Sequence, residues 1–375
     1  MIPLSKIFLE FFRLGLIAFG GPAAHVALME QELVTRKKWL THQQFLDYMG
    51  GVNLIPGPNS TQMTMLVGYQ LRGFWGMILS GMGFIIPAAA ITTILAIFYT
   101  KYQGLPELDN ILMGIKPAIL AIILGAVVKL GKKAVKNYKL AILGILVIAL
   151  SFLGVNEITA ILGAGMAGML AFTLGKRKKD GSGNIKSLVP FLAINTMAAG
   201  IAPYSTLKLF WVFIKIGSLL FGTGYVLIAY VNAELVENLG WLTPDQLLDA
   251  IAIGQFTPGP LLTSATFIGF ILDGYKGAIV ATLGIFLPSY IFILILYPFI
   301  HKLRKSPYTS AFLDSVNVAA VGVMVAVFIV FSIDVVTSWK PGLILALAMA
   351  AVWGPWKINS LWIVAGGAVM GYVLF

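Results

Sequence analysis

Two Pro-Gly-Pro triplets, Pro56-Gly57-Pro58 and Pro258-Gly259-Pro260, stand 202 residues apart in a chain of 375. Proline lacks an N–H and its ring clashes with the preceding turn, so neither triplet can continue a helix. A helix that begins just after such a break offers unpaired N–H groups and the positive end of its dipole. That combination binds anions. After the first triplet come Asn59, Ser60, Thr61 and Gln62, whose amides and hydroxyls add donors, with Asn or Ser expected as the helix cap. After the second come Thr263 and Ser264, a less polar set. Asn53 and Gln255 precede the breaks at matched positions, and Thr257 adjoins Pro258. All are candidate substrate ligands; the competing role is to satisfy backbone groups that the prolines set free.

The charged residues extend this chemistry. Arg13 aligns with Lys215, and both are candidate anion ligands unless they snorkel to the interface. Lys116 lies mid-span beside Pro117, where an intramembrane charge is functional by default; its counterpart is the neutral Asn317. The carboxylates Glu32, Glu234, Asp47 and Asp249 occur as two matched pairs and could carry coupling protons, although solvation at helix ends would also explain them. Gly20, Gly21 and Pro22 mark a second expected break, followed by His25, whose near-neutral titration suits proton coupling or anion binding. The second copy has Gly224 for Pro22 and Leu227 for His25, so that role would be one-sided. With three His, no Cys and no metal-ligand spacing, we expect no catalytic group, metal or cofactor.

What must position these groups is a membrane-embedded scaffold. Residues are 59% apolar and 11% charged, less than half the roughly 25% charged share of a soluble chain. Mean hydropathy is +0.91. A soluble enzyme, a disordered chain and a disulfide-stapled secreted protein are excluded. The formal net charge of +11 would suggest nucleic acid in a soluble protein. Here the cations fall in short loops between apolar runs, as cytoplasmic loops do, so no nucleic-acid partner is expected.

The chain is one unit written twice. Residues 6–58 align without a gap on 208–260, and 19 of the 53 positions are identical, against roughly 6% expected from average residue usage. After a one-residue deletion Gly68, Gly73, Gly76, Gly83 and Pro87 meet Gly269, Gly274, Gly277, Gly284 and Pro288. Apolar runs long enough to read as spans cover 5–34, 74–100, 108–131, 138–155 and 158–175, then 208–235, 276–300, 310–333, 341–356 and 358–375. Between the first two spans of each half, 42–72 and 244–274 read as re-entrant hairpins: a short helix in, the Pro-Gly-Pro break, a short helix out.

Loop charge points to inversion. Lys129, Lys132, Lys133, Lys136 and Lys139 follow the third span of the first half, where the second half has only Lys340. The loop after the second span reverses this bias, Lys101 against Lys302, Arg304 and Lys305. Homologous loops of opposite bias lie on opposite sides of the membrane. The expected fold is therefore an all-α polytopic membrane protein of two inverted repeats with about five spans each. The expected divisions are 1–175, a linker at 176–205 whose segment 188–203 we read as interfacial, and 206–375. Such repeats with broken helices characterise secondary transporters, whose substrate site lies near the midplane.

Phe19-Gly20-Gly21-Pro22 with His25, then Glu32, Trp39, Asp47, Pro56-Gly57-Pro58, Gly68, Gly73, Gly76 and Pro87, resembles the chromate ion transporter (CHR) family. The pattern spans essentially the whole chain, with Phe-Gly-Thr-Gly replacing Phe-Gly-Gly-Pro in the second half. The resemblance implies a two-domain member in the cytoplasmic membrane with antiparallel halves. It further implies chromate export driven by the proton-motive force. Sulfate is the alternative substrate, since both are tetrahedral dianions and a helix-end site accepts either. An anion channel on the same fold is a second alternative. The expected partners are the oxyanion, the bilayer and, as an option, a second copy in a homodimer.

Overall fold

A computed structural model describes residues 2–19, 21–180, 203–221, 224–296, 306–356 and 358–375, the side chains of 23, 174–180 and 296 excepted. Gly20, residues 188–202 of the segment read as interfacial, and Lys302, Arg304 and Lys305 lie outside the described residues. Among the described residues every regular element is helical. The protein is an all-α membrane protein.

Each half begins with a helix that stops early. In the first, α1 (Leu4–Ile17) ends at Ala18, and α2 (Pro22–Met29) restarts after Gly21 and continues as a π-helical turn over Glu30–Arg36. Fourteen residues reach about 21 Å, short of the ~30 Å hydrocarbon core. The span expected over 5–34 is therefore two half-length pieces. Pro22 explains the restart, since proline is tolerated at a helix's first turn. The second half breaks at the same place without a proline: α8 (Thr206–Leu219) ends at Leu220, and α9 (Leu227–Val231) runs into a π-helical turn over Asn232–Asn238.

The hairpin segments follow. α3 (His42–Val52) and α10 (Pro244–Phe256) both start from a capping box, Thr41 with Gln44 and Thr243 with Gln246. Past the Pro-Gly-Pro breaks, α4 (Asn59–Tyr102) and α11 (Ser264–Leu296) each contain a sharp corner, at Arg72–Gly73 and Asp273–Gly274. Gly73 and Gly274 adopt φ of 60° and 55°, the left-handed region that glycine enters at little cost. The corner folds each chain back so that Gly68 lies against Gly76, and Gly269 against Gly277, with no room for a β-carbon. The short outgoing helices are thus 59–71 and 264–272.

The remaining helices are α5 (Pro106–Ala134), α6 (Tyr138–Phe152), α7 (Glu157–Asp180), α12 (Pro307–Val335), α13 (Trp339–Trp353) and α14 (Ser360–Leu374). Among the described residues four helices are long and apolar enough to cross a membrane: Asn59–Tyr102, Pro106–Ala134, Leu261–Ile295 and Pro307–Val335. α6, α13 and α14 hold 15 residues each, about 22 Å.

The halves are intertwined. α1 packs along α4 and α8 along α11, and α4 meets α11 at the centre. The last two helices of each half cross over: α6 and α7 pack on α12, while α13 and α14 pack on α5. The equivalent helices α5 and α12 meet end to opposite end. Lys136, just past α5, pairs with Asp314 near the start of α12 at 2.6 Å.

Candidate functional site

Four helix interruptions converge where α4 crosses α11. The Gly57 N–H donates to the Leu220 carbonyl at 2.6 Å, and the Gly259 N–H donates to the Ala18 carbonyl at 2.8 Å. Each Pro-Gly-Pro triplet thereby docks on the broken first helix of the opposite half, satisfying a carbonyl that the break exposes. Gly57 and Gly259 take φ of 127° and 88°, which L side chains rarely adopt. A β-carbon at Gly57 would lie 2.7 Å from the Ser289 hydroxyl and would collide with the Gln62 amide. At Gly259 it would meet the Ala88 methyl at 2.7 Å.

The polar lining is lopsided. Pro58 caps the outgoing helix of the first half, with no side-chain cap, so Asn59 and Ser60 are not the cap that their residue types suggested. Proline cannot donate and offers no side-chain acceptor, so the N–H groups of the first turn are left open. Asn59 instead reaches back across the break, its amide donating to the Asn53 side-chain oxygen at 2.7 Å. Ser60 Oγ lies 3.3 Å from His25 Nδ1, and that imidazole packs edge-on against Phe84. Gln62 Nε2 donates to the Pro56 carbonyl at 2.5 Å and holds the triplet's shape. Thr61 is fully buried, and its hydroxyl has no hydrogen-bond partner among the described residues. Of the residues singled out in the sequence, the structure brings His25 to Ser60, which Thr61 and Gln62 follow on the same helix.

The second half contributes less. Its outgoing helix starts with a short 3₁₀ turn, Leu261–Thr263, capped by Pro260. The hydroxyls of Thr263 and Ser264 bond to the carbonyls of Pro260 and Leu261 and turn inward on their own backbone. Thr257 receives the Thr92 hydroxyl at 3.3 Å. Gln255 lies near Tyr225, whose hydroxyl lies 3.5 Å from where Gly21 would carry a β-carbon. Where the first half has His25, the second has a small apolar void lined by residues including Leu227, Ile251 and Leu261.

The fixed cations are elsewhere. Arg13 pairs with Glu10 and Glu32, both at 3.3 Å, and Arg36 also holds Glu32 at 2.7 Å. Lys215 pairs with Glu234 at 2.6 Å. These matched pairs tie the first helix of each half to the π-helical turn that follows it. Arg13 and Lys215 are thus neutralised by the carboxylates proposed to carry protons, and neither reaches the helix breaks. A cation partnered by a buried carboxylate gains more there than at a neutral break, which is why the pairing wins. Lys116 pairs with Asp245 at the start of α10, at 2.6 Å. Asp249 is buried one turn further along α10, whereas Asp47 is only half-buried and accepts from Gln43 at 3.3 Å.

Sequence reasoning missed Ser289, Thr92, Tyr225 and Phe84. Ser289 and Thr92 lie on the long helices near the aligned prolines Pro288 and Pro87, and their counterparts, Ala88 and Ile293, are apolar. Only comparison of the copies at those positions carried a signal.

The sequence profile of the chromate transporter family matches residues 5–169 and 207–372, one match for each half. The chain belongs to the chromate transporter family. It is 29% identical over 374 residues to a chromate transport protein of Cupriavidus metallidurans, covering 99% of this chain and 93% of that one. It is 30% identical over 359 residues to a probable chromate transport protein of Synechococcus elongatus, covering 90% and 91%. A chromate transport protein of Pseudomonas aeruginosa is 28% identical over 392 residues, covering 99% and 92%. No solved structure matches. As a member of this family with long apolar helices, the protein is a multi-pass membrane transporter of ions.

Proposed function

We propose that this chromate transporter family member is a secondary carrier of a tetrahedral oxyanion, chromate first, with two inverted repeats that alternate access to one central site. The observation that carries the reading is the pair of reciprocal bonds, Gly57 to Leu220 and Gly259 to Ala18, which hold four helix interruptions together. The anion would sit at the start of 59–71, where the first-turn N–H groups are open and the Thr61 hydroxyl has no partner among the described residues. The antiparallel meeting of α5 and α12 supports inversion, and the three relatives named for chromate support that substrate. We further propose that movement is coupled to protons, that 1–175 and 206–375 are the two functional units, and that the protein acts in the cell membrane.

The test is uptake by proteoliposomes offered chromate, sulfate or phosphate, with and without an imposed pH gradient. We expect saturable chromate flux accelerated by the gradient, and loss of that flux in Thr61→Val. Flux that neither saturates nor responds to a counter-gradient identifies a channel and defeats the carrier reading. Preference for sulfate reassigns the substrate.

A further inference from the structure

The hairpin helices α3 and α10 are the same element in the two halves, yet they are seated differently. α3 packs mainly on α4 and the π-helical turn, leaving Gln43, Gln44 and Leu46 exposed. α10 docks against α5 and α14, and Leu247 through Ala252 are buried without interruption. At the docked edge the Tyr99 hydroxyl, in the last turn of α4, donates to Asp249 Oδ2 at 2.8 Å. Beside it Lys116 of α5 donates to Asp245 at 2.6 Å. The positions aligned with Tyr99, Asp249, Lys116 and Asp245 are Ile300, Asp47, Asn317 and Gln43, so in sequence the hydroxyl, the cation and one carboxylate have no counterpart for the α3 hairpin.

Asp249 is 3% exposed, and its Oδ1 has no hydrogen-bond partner among the described residues. An ionised carboxylate with one oxygen unsatisfied is expensive in a dry setting; a protonated one is far less so. The groups facing it are Tyr99 from α4, Lys116 and Asp109 from α5, and Asp245 on α10 itself. Lys116 is committed to Asp245, while Asp109 and Asp245 repel a second negative charge. α14 carries no charged residue. Undocking α10 would return Asp249 to water. Docking and proton binding therefore favour each other by linkage.

We propose that Asp249 is the proton-binding carboxylate of the transport cycle: its protonation seats α10 against α5, and its deprotonation accompanies opening of that hairpin. Tyr99 is a positioning residue that holds Oδ2 and leaves Oδ1 to take the proton. The inference rests on the carrier reading above and assigns its coupling to one of the two hairpins.

The chain has no cysteine, so a single thiol can report docking. In the full-length protein carrying Ala252→Cys, maleimide labelling in vesicles, divided at each pH by labelling of the same thiol in denatured protein so that thiolate formation cancels, should fall as pH is lowered, by at most about tenfold per pH unit, the limit for one linked proton. Adding Asp249→Asn should leave labelling low at every pH, whereas adding Asp47→Asn should keep the pH dependence. In proteoliposomes, the ratio of gradient-driven chromate flux to chromate–chromate exchange should fall to about one in Asp249→Asn, because no linked proton remains. Should that variant fail to fold, Tyr99→Phe decides: a shifted labelling midpoint supports the proposal and an unshifted one overturns it. Retained pH-dependent labelling in Asp249→Asn also overturns it. If the wild type moves no chromate, the carrier reading fails, and the labelling experiment still decides Asp249.

Discussion

The two halves share a backbone plan and differ in what they place on it. Both break their first helix, both dock a Pro-Gly-Pro triplet on the other half, and both brace the break with a cation–carboxylate pair. Around the first-half triplet the side chains are polar: His25, Ser60, Thr61 and Gln62. Around the second they are largely apolar, while a separate cluster at the α10 hairpin joins Tyr99 and Lys116 of the first half to Asp249 and Asp245 of the second. Duplication preserves what the backbone requires, because a broken helix in a membrane needs its carbonyls satisfied in either copy. Side chains that face a ligand or a proton are under no such shared demand.

The largest expected effect breaks the shared part. Gly57→Ala forces a left-handed φ on a side chain that meets Ser289 and Gln62, a strain of about 1–3 kcal/mol, or roughly 5- to 150-fold in population. Chromate uptake should drop by that order. Gly259→Ala meets a methyl and should suffer less; equal losses would show that the triplets are equally constrained.

Exchanging the lopsided residues sharpens the contrast. His25→Leu copies the second half into the first and should reduce uptake about tenfold, as expected for loss of a hydrogen-bonded polar group worth roughly 1.4 kcal/mol. Leu227→His places an imidazole in the apolar void and should lower stability by about 1–3 kcal/mol, measured by unfolding in detergent.

The smallest effect concerns the braces. Lys215→Ala leaves Glu234 buried without its 2.6 Å partner, whereas Arg13→Ala leaves Glu32 still held by Arg36. The first should cost about 1 kcal/mol of stability, since Lys215 is half-exposed and screened, and the second under about 0.5 kcal/mol. Thermal unfolding of the two variants side by side checks the order.

Much of the fold was legible because it rests on local chemistry. Prolines stop helices whatever surrounds them, so the breaks at 20–22, 56–58 and 258–260 could be read directly, whereas the end of α8 at Leu219, which no proline marks, could not. The capping threonines Thr41 and Thr243 act within their own helices and were equally local. Span length was misread at 5–34, because hydropathy is blind to a two-residue interruption in an apolar run. The pairing of Arg13, Lys215 and Lys116 was not legible, because composition shows that a cation lies in an apolar span but not which carboxylate it faces.

By itself the sequence determined a duplicated, membrane-embedded chain whose helices break at matched points, since hydropathy and proline geometry need no tertiary context. Only the tertiary structure decided which broken end meets which: each triplet crosses to the other half, and contacts between residues some 160 to 240 apart leave no local trace. It also decided that the cations brace the scaffold, and that the unequal seating of α3 and α10 makes Asp249, not Asp47, the buried carboxylate.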